Sequence, residues 1–338
     1  MRYTIRMPQK LPQKPKSHTF RSMLFLLFWL GMFGFVALNQ QAITDWWKLR
    51  GYSAPSEIAA AATGAQMSEK GMHLFYVNKP EIKSGKAFTN SCPIGFEKSV
   101  VLGCYKGGDN GIYLYQVTDS RLQGVVEVTA AHEMLHAAYE RLSTKERMRI
   151  DGLLTGFYKN GLTDERIKKT VDLYRQTEPN ELPNEMHSIF ASEVRGLPAE
   201  LETYYARYFT NRQALVAITE KYQAEFTTRR TQVEAYDSQL KELKGSTETL
   251  QTQLETERQA IDARLAEMAA LKKTGNIAGY NAQVTGYNKL VDTYNAHIGQ
   301  LRDQITYYND TVEKRNALAL EERELTQALS ATTLPAAR

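Results

Sequence analysis

A chain of 338 residues is longer than a single compact core usually requires, so two or three domains are expected. Apolar residues make up 42% and charged residues 24%, which excludes a wholly disordered, a collagen-like or a polytopic membrane protein. The net charge of +4 comes from the first 21 residues, which hold six Lys or Arg and no acidic residue. The rest of the chain has 36 basic and 38 acidic residues, so we expect no nucleic-acid partner.

An apolar segment follows the basic N-terminus. Residues 23–38 carry no charge, and residues 20–38 are predicted to form a transmembrane anchor behind a basic tail, residues 1–19. By the positive-inside rule the tail stays in the cytoplasm, which predicts a single-pass protein of the cytoplasmic (inner) membrane with its bulk in the periplasm. The alternative is a cleaved signal peptide. No clear cleavage site of small residues follows Leu38, which favours the anchor.

The two cysteines, Cys92 and Cys104, lie close together in a stretch that contains Pro and Gly. In an oxidising compartment outside the cytoplasm they are expected to form a disulfide that closes a small loop. The alternative is a metal site. Two cysteines without Cys-x-x-Cys spacing favour the disulfide.

Residues 39–70 are predicted to form a juxtamembrane helix and linker, before an α+β domain that covers residues 71–210. Short β-branched and aromatic runs at 72–77 and 111–118 are predicted to be strands. From Leu122 the apolar period becomes helical, and further helices are predicted at 144–158, 164–175 and 183–195.

Residues 211–330 have heptad periodicity. One seam repeats every seven residues, at Val284, Val291, Ile298, Ile305 and Val312, and a second runs three residues behind it. With a break at 273–277, the pattern predicts a long antiparallel helical hairpin, a coiled coil. Pairing with another protein or a second copy, as a homodimer, is the alternative.

The helix after Leu122 contains His132, Glu133 and His136 in the pattern His-Glu-x-x-His. On a helix, residues four apart share a face, so the two imidazoles can bind one ion, and Glu133 lies beside them where it can act on a water. This arrangement is typical of zinc metallopeptidases. Zinc requires a third protein ligand and an open position.

The third ligand is predicted from the segment Asn184-Glu-Met-His-Ser188. Together with His132 and His136, this segment resembles the gluzincin group of zinc metallopeptidases, and its continuation to Pro198 resembles the compact, regulator-cleaving bacterial members. The resemblance implies a zincin-like catalytic domain with Glu185 as the third zinc ligand. Ile189 departs from the acidic or Asn residue that the group usually has at this position.

Other residues compete for roles in this site. Glu193 lies two turns after Glu185 on the same helical face, so it is the alternative third ligand or a residue that supports the ligands. His187 and Tyr139 are candidates for stabilising the oxyanion, and Tyr204 and Tyr205 are further candidates that spacing does not separate.

These features predict a zinc-dependent hydrolase, a metalloprotease, that cleaves a polypeptide substrate with Glu133 as general base. The strand at 111–118 is predicted to be the edge to which an extended peptide adds. The competing hypothesis is a coiled-coil scaffold or adaptor of the cell envelope with a non-catalytic zincin-like module, since the hairpin occupies about a third of the chain.

Overall fold

The computed structural model describes residues 18–93, 101–108 and 111–330, which are mostly helical with a small three-stranded sheet. The chain divides into two compact units, Met1–Ala54 and Pro55–Arg338. Most of the predicted basic tail lies outside the described residues. The segment predicted as a linker contains the boundary, because its first helix belongs to one unit and its second to the other.

The first unit contains helices α1, His18–Leu38, and α2, Gln40–Leu49. A window of α1, Arg21–Leu38, is long and apolar enough to cross a membrane, and none of it is buried within the protein. A signal sequence near the N-terminus would also be this long and apolar, so the helix fits both the anchor and the signal peptide.

The second unit holds three short strands and ten further helices among its described residues. The strands are β1 Glu81–Lys83, β2 Gly103–Lys106 and β3 Gly111–Tyr115. The helices are α3 Ser56–Gly64, α4 Glu69–Val77, α5 Gly85–Ser91, α6 Val125–Glu140, α7 Thr144–Asn160, α8 Glu165–Thr177, α9 Leu182–Glu193, α10 Ala199–Tyr205, α11 Arg212–Lys273 and α12 Ile277–Ala328.

Helix α6 is the centre of the globular core. Most of its residues are buried, and it contacts α3, α4, α9, α11 and both β2 and β3. Its first residue follows Gly124, whose φ of +97° suits glycine and whose added Cβ would lie 2.1 Å from Ile218 of α11. The core therefore includes the first turns of α11, where Leu215 and Val216 are fully buried.

The sheet has the order β1-β3-β2. β1 pairs with β3 in parallel and β2 pairs with β3 antiparallel, with Cys104 opposite Tyr113. The prediction that the strand beginning at Gly111 is the edge is therefore wrong: β3 is the central strand. The charged segment Glu81–Lys83 gave no strand pattern, and it pairs because the fold brings it beside β3.

The predicted strand at 72–77 is also wrong, because these residues form most of helix α4. Ser68 caps the helix: its hydroxyl accepts a hydrogen bond from the Gly71 amide and donates one to the Arg207 carbonyl. The buried positions Gly71, Leu74 and Phe75 have helical spacing. Aromatic and β-branched composition was misleading here, because the cap and this spacing decide the local structure.

Helices α11 and α12 form the expected antiparallel hairpin around the break at 274–276. Arg229 pairs with Glu321 at 2.9 Å near its base, and His297 lies 2.7 Å from Glu257 nearer its tip. Helices α7, α8 and α9 begin and end within two residues of the predicted ranges.

Candidate metal centre

Helix α6 carries the three residues of the His-Glu-x-x-His motif on its cleft side. His136 is 9% exposed and Glu133 is 6% exposed, whereas His132 is half-buried. The two imidazole rings lie 4.8 Å apart between centroids, at an angle of 75°. The helical spacing therefore brings both rings to one point, as the sequence predicted.

Helix α9 packs against α6 and supplies the third residue. A carboxylate oxygen of Glu185 lies 3.6 Å from the Nε2 atom of His132, and its other oxygen lies 3.6 Å from the Nε2 atom of His136. The three side chains form a group whose ligand atoms lie within 4.8 Å of one another and that could hold a metal ion. Ligand atoms around a tetrahedral zinc ion are about 3.4 Å apart, and the two separations of 3.6 Å are close to that distance.

The Glu185 carboxylate is buried, with 9% of the residue exposed. Burial by itself would raise the pKa of this carboxyl, but the imidazoles of His132 and His136 and the hydroxyl of Tyr174 outweigh it and hold the pKa below its usual value. Its Oε2 atom has no hydrogen-bond partner among the described residues. A buried charged oxygen without such a partner is costly, and a metal ion at this point would satisfy it.

Asn184 holds the ring of His136 in place. Its side-chain oxygen lies 2.9 Å from the Nδ1 atom of His136, and the Ser188 hydroxyl lies 3.4 Å from the same atom. An Nδ1–H that donates to Asn184 leaves the Nε2 lone pair available to a metal. Asn184 in turn donates a hydrogen bond to Glu181 at 3.3 Å.

Strand β2 lies directly over Glu133. A Cβ atom added to Gly103 would be 2.8 Å from a carboxylate oxygen of Glu133 and 2.6 Å from the methyl carbon of Thr129. A larger residue at this position would therefore force β2 or one of these two side chains to move. The disulfide between Cys92 and Cys104 is present and joins β2 to the residue that follows α5.

The three residues that could hold a metal ion, called the metal-binding group below, lie in a cleft of about 700 Å³. β2, α6, α8, α9 and α11 all contribute to its walls. The sequence did not indicate that Tyr174 and Tyr222 line the cleft, where the Tyr174 hydroxyl helps to lower the pKa of the Glu185 carboxyl. No motif marks either residue, and both reach the cleft only through the packing of α8 and α11.

The alternatives that sequence left open lie in different places. Glu193 lines the cleft but pairs with Arg166 at 2.6 Å and lies outside the metal-binding group. His187 is fully buried, does not line the cleft, and has its Nε2 atom 2.9 Å from the Tyr204 hydroxyl. Burial, together with the imidazoles of His136 and His132, lowers the pKa of His187 to about 3, so this side chain is neutral.

The tyrosine candidates also differ in their access to the cleft. Tyr139 lines the cleft, but its hydroxyl donates a hydrogen bond to Asp151 at 2.9 Å. Tyr204 and Tyr205 are buried, and neither lines the cleft. Of these three tyrosines, Tyr139 alone lines the cleft.

Comparison with known proteins finds no matching family model, no similar curated protein and no similar solved structure.

Proposed function

We propose that this protein is a membrane-anchored, zinc-dependent metallopeptidase with a zincin-like catalytic domain outside the cytoplasm. The observation that carries the proposal is the convergence of His132, His136 and Glu185, with Glu133 beside them in the same cleft. Two imidazoles and one carboxylate are the ligand set of several catalytic zinc sites, which keep a fourth position open.

The chain's own side chains support this choice of ion. His132, His136 and Glu185 would hold zinc, and Asn184 orients the ring of His136 through its Nδ1 atom. A zinc ion bound there would supply Lewis acidity, which polarises a peptide carbonyl and makes water more acidic.

Glu133 is suited to be the general base. Its carboxylate lies in the cleft on the helical turn that carries both histidines. It would accept a proton from the attacking water and pass that proton to the leaving amine. A structural metal site has no need of this carboxylate, so its position favours catalysis.

Strand β2 is the better candidate for binding an extended substrate, now that β3 is known to be central. β2 lines the cleft and pairs only with β3 among the described strands. A peptide that added to the edge of β2 opposite β3, which no described strand occupies, would pass over Glu133, which Gly103 allows β2 to approach.

The anchor and compartment are also proposals. The apolar window of α1 and the basic residues before it favour a single-pass helix with a cytoplasmic N-terminus. The disulfide in the second unit is consistent with an oxidising compartment.

The test is Glu133→Gln in the full chain, incubated with a peptide library whose products are identified by mass spectrometry. We expect the variant to keep its zinc and to lose cleavage by at least about 100-fold, the usual contribution of a general base. Glu127→Gln is the matched control, since Glu127 is on the same helix but does not line the cleft. Full cleavage by Glu133→Gln would contradict the proposed mechanism.

The adaptor hypothesis rests on the two long helices of the hairpin, 62 and 52 residues. It predicts that wild-type protein loaded with zinc cleaves no peptide in the library. It also predicts that Glu133→Gln leaves binding to envelope partners unchanged.

A further inference from the structure

Helix α2 carries two large exposed aromatic side chains. It begins at Gln40, with only Asn39 between it and the end of α1. Asp45 on α2 is 6% exposed. The next two residues, Trp46 and Trp47, are 57% and 60% exposed.

The exposed side chains form a defined cluster of Trp46, Trp47 and Arg50, which we call the tryptophan cluster. The two indole rings lie 5.2 Å apart between centroids in an edge-to-face arrangement. The Arg50 guanidinium lies 5.4 Å from the Trp46 ring centroid and 5.6 Å from the Trp47 ring centroid. The cluster thus combines two large apolar rings with a positive charge held over their faces.

We propose that the tryptophan cluster binds the lipid headgroup layer at the end of the span formed by α1. This inference rests on the proposed membrane anchor. Indole rings favour the membrane–water interface, where the ring contacts apolar chains and its N–H group contacts polar groups. Arg50 supplies a cation for lipid phosphate groups, with which a guanidinium forms paired hydrogen bonds.

The membrane is favoured over a protein partner because α2 is continuous in sequence with α1. Asn39 has non-helical backbone angles (φ −113°, ψ 13°), so α1 and α2 are separate helical segments. The interfacial layer is only about 5–8 Å thick on each side, whereas eight residues of continuous helix span about 12 Å. A helix that continued straight on from α1 would carry the cluster beyond this layer. The proposal therefore requires α2 to lie along the membrane surface, which keeps the cluster within the layer.

The three tryptophans of this chain allow the test to be read by fluorescence in the full-length protein. Trp29 lies in the middle of the apolar window of α1, and the other two are in the cluster. Trp29→Phe leaves only the cluster emitting, whereas Trp46→Phe with Trp47→Phe leaves only Trp29 as reporter. Both variants would be reconstituted in vesicles whose lipids carry bromine, a quencher, either near the headgroups or near the bilayer centre.

We expect the cluster emission to be quenched more by the shallow bromines than by the deep ones, and the Trp29 emission to show the reverse. If Trp29 is quenched by deep bromines and the cluster by neither set, the anchor stands and the cluster proposal is wrong. If deep bromines leave Trp29 unquenched, α1 does not span the bilayer, and both the anchor and the cluster proposal are overturned.

Discussion

Gly103 determines how closely strand β2 can approach the helix that carries Glu133. A methyl group at this position would meet both Glu133 and Thr129 at less than 3 Å, so the strand or the carboxylate must move. Overpacking of this kind usually costs about 1–3 kcal/mol of unfolding free energy. The role of this glycine is invisible in the sequence, because it depends on packing between an edge strand and a distant helix.

We therefore predict that Gly103→Ala reduces peptide cleavage while zinc content stays near one ion per chain, since no metal ligand is touched. Cleavage kinetics and elemental analysis of the same preparation would measure both. Gly152→Ala, in α7, is the control, because a Cβ there meets nothing within 4 Å. Equal cleavage by the two variants would show that β2 does not position Glu133.

Asn184 offers a second prediction at this scale. Asn184→Ala removes the acceptor that lies 2.9 Å from the Nδ1 atom of His136. Loss of such a supporting hydrogen bond typically weakens metal binding about 10–100-fold. Competition with a zinc chelator would measure the change. Asn184→Asp keeps an oxygen acceptor and should restore most of the affinity; equal weakening in both variants would argue against an orienting role.

At the scale of the elements, the disulfide joins β2 to the end of α5 beside the cleft. A bridge that closes a loop with a sequence separation of 12 stabilises the folded state by about 3 kcal/mol in the chain-entropy model. We predict that replacing Cys92 and Cys104 together by Ser lowers the unfolding free energy by about this amount. Denaturant titration of the oxidised wild type against the double variant would measure it, and an unchanged midpoint would contradict the prediction.

The hairpin has a polar pair of its own, between Glu257 and His297, whose Nδ1 atom lies 2.7 Å from a carboxylate oxygen of Glu257. The hydrogen bond from His297 lowers the pKa of the Glu257 carboxyl. A carboxyl whose folded-state pKa is lowered stabilises the fold above its unfolded value, about 4.3 for Glu. That contribution is lost as the pH falls through the lower folded value.

We therefore expect wild type to be more stable than Glu257→Gln near pH 7, and this difference to shrink as the pH falls below about 4.3, the unfolded value. Thermal unfolding followed by circular dichroism would measure both. Glu267→Gln is the control, since Glu267 is exposed and its closest ion pair, with Arg264, is long at 3.8 Å. A stability difference that did not change with pH would contradict the assignment.

At the scale of the whole molecule, sequence predicts features that depend on local spacing. The spacing of His132 and His136 predicted their common face, and the heptads predicted the antiparallel hairpin. The disulfide followed from the expected compartment. Glu185 came from a family resemblance, and the structure brings it to the two histidines.

The sequence alone does not predict features that depend on packing between distant parts of the chain. The central position of β3 depends on β1, a charged three-residue strand with no pattern of its own. The aromatic and β-branched composition of residues 72–77 predicts a strand, but the serine cap at Ser68 begins a helix there, α4. Tyr222 reaches the cleft from α11, far along the chain from the motif, so no sequence window contains both.

The central claim is that Glu185 completes a zinc site with His132 and His136. Elemental analysis of the full-length protein would test it most directly, with Glu185→Gln compared against Glu193→Gln on the same helix. We predict one zinc per chain in wild type and in Glu193→Gln, and loss of zinc in Glu185→Gln. Wild type without zinc, or zinc fully retained in Glu185→Gln and lost in Glu193→Gln, would contradict the account.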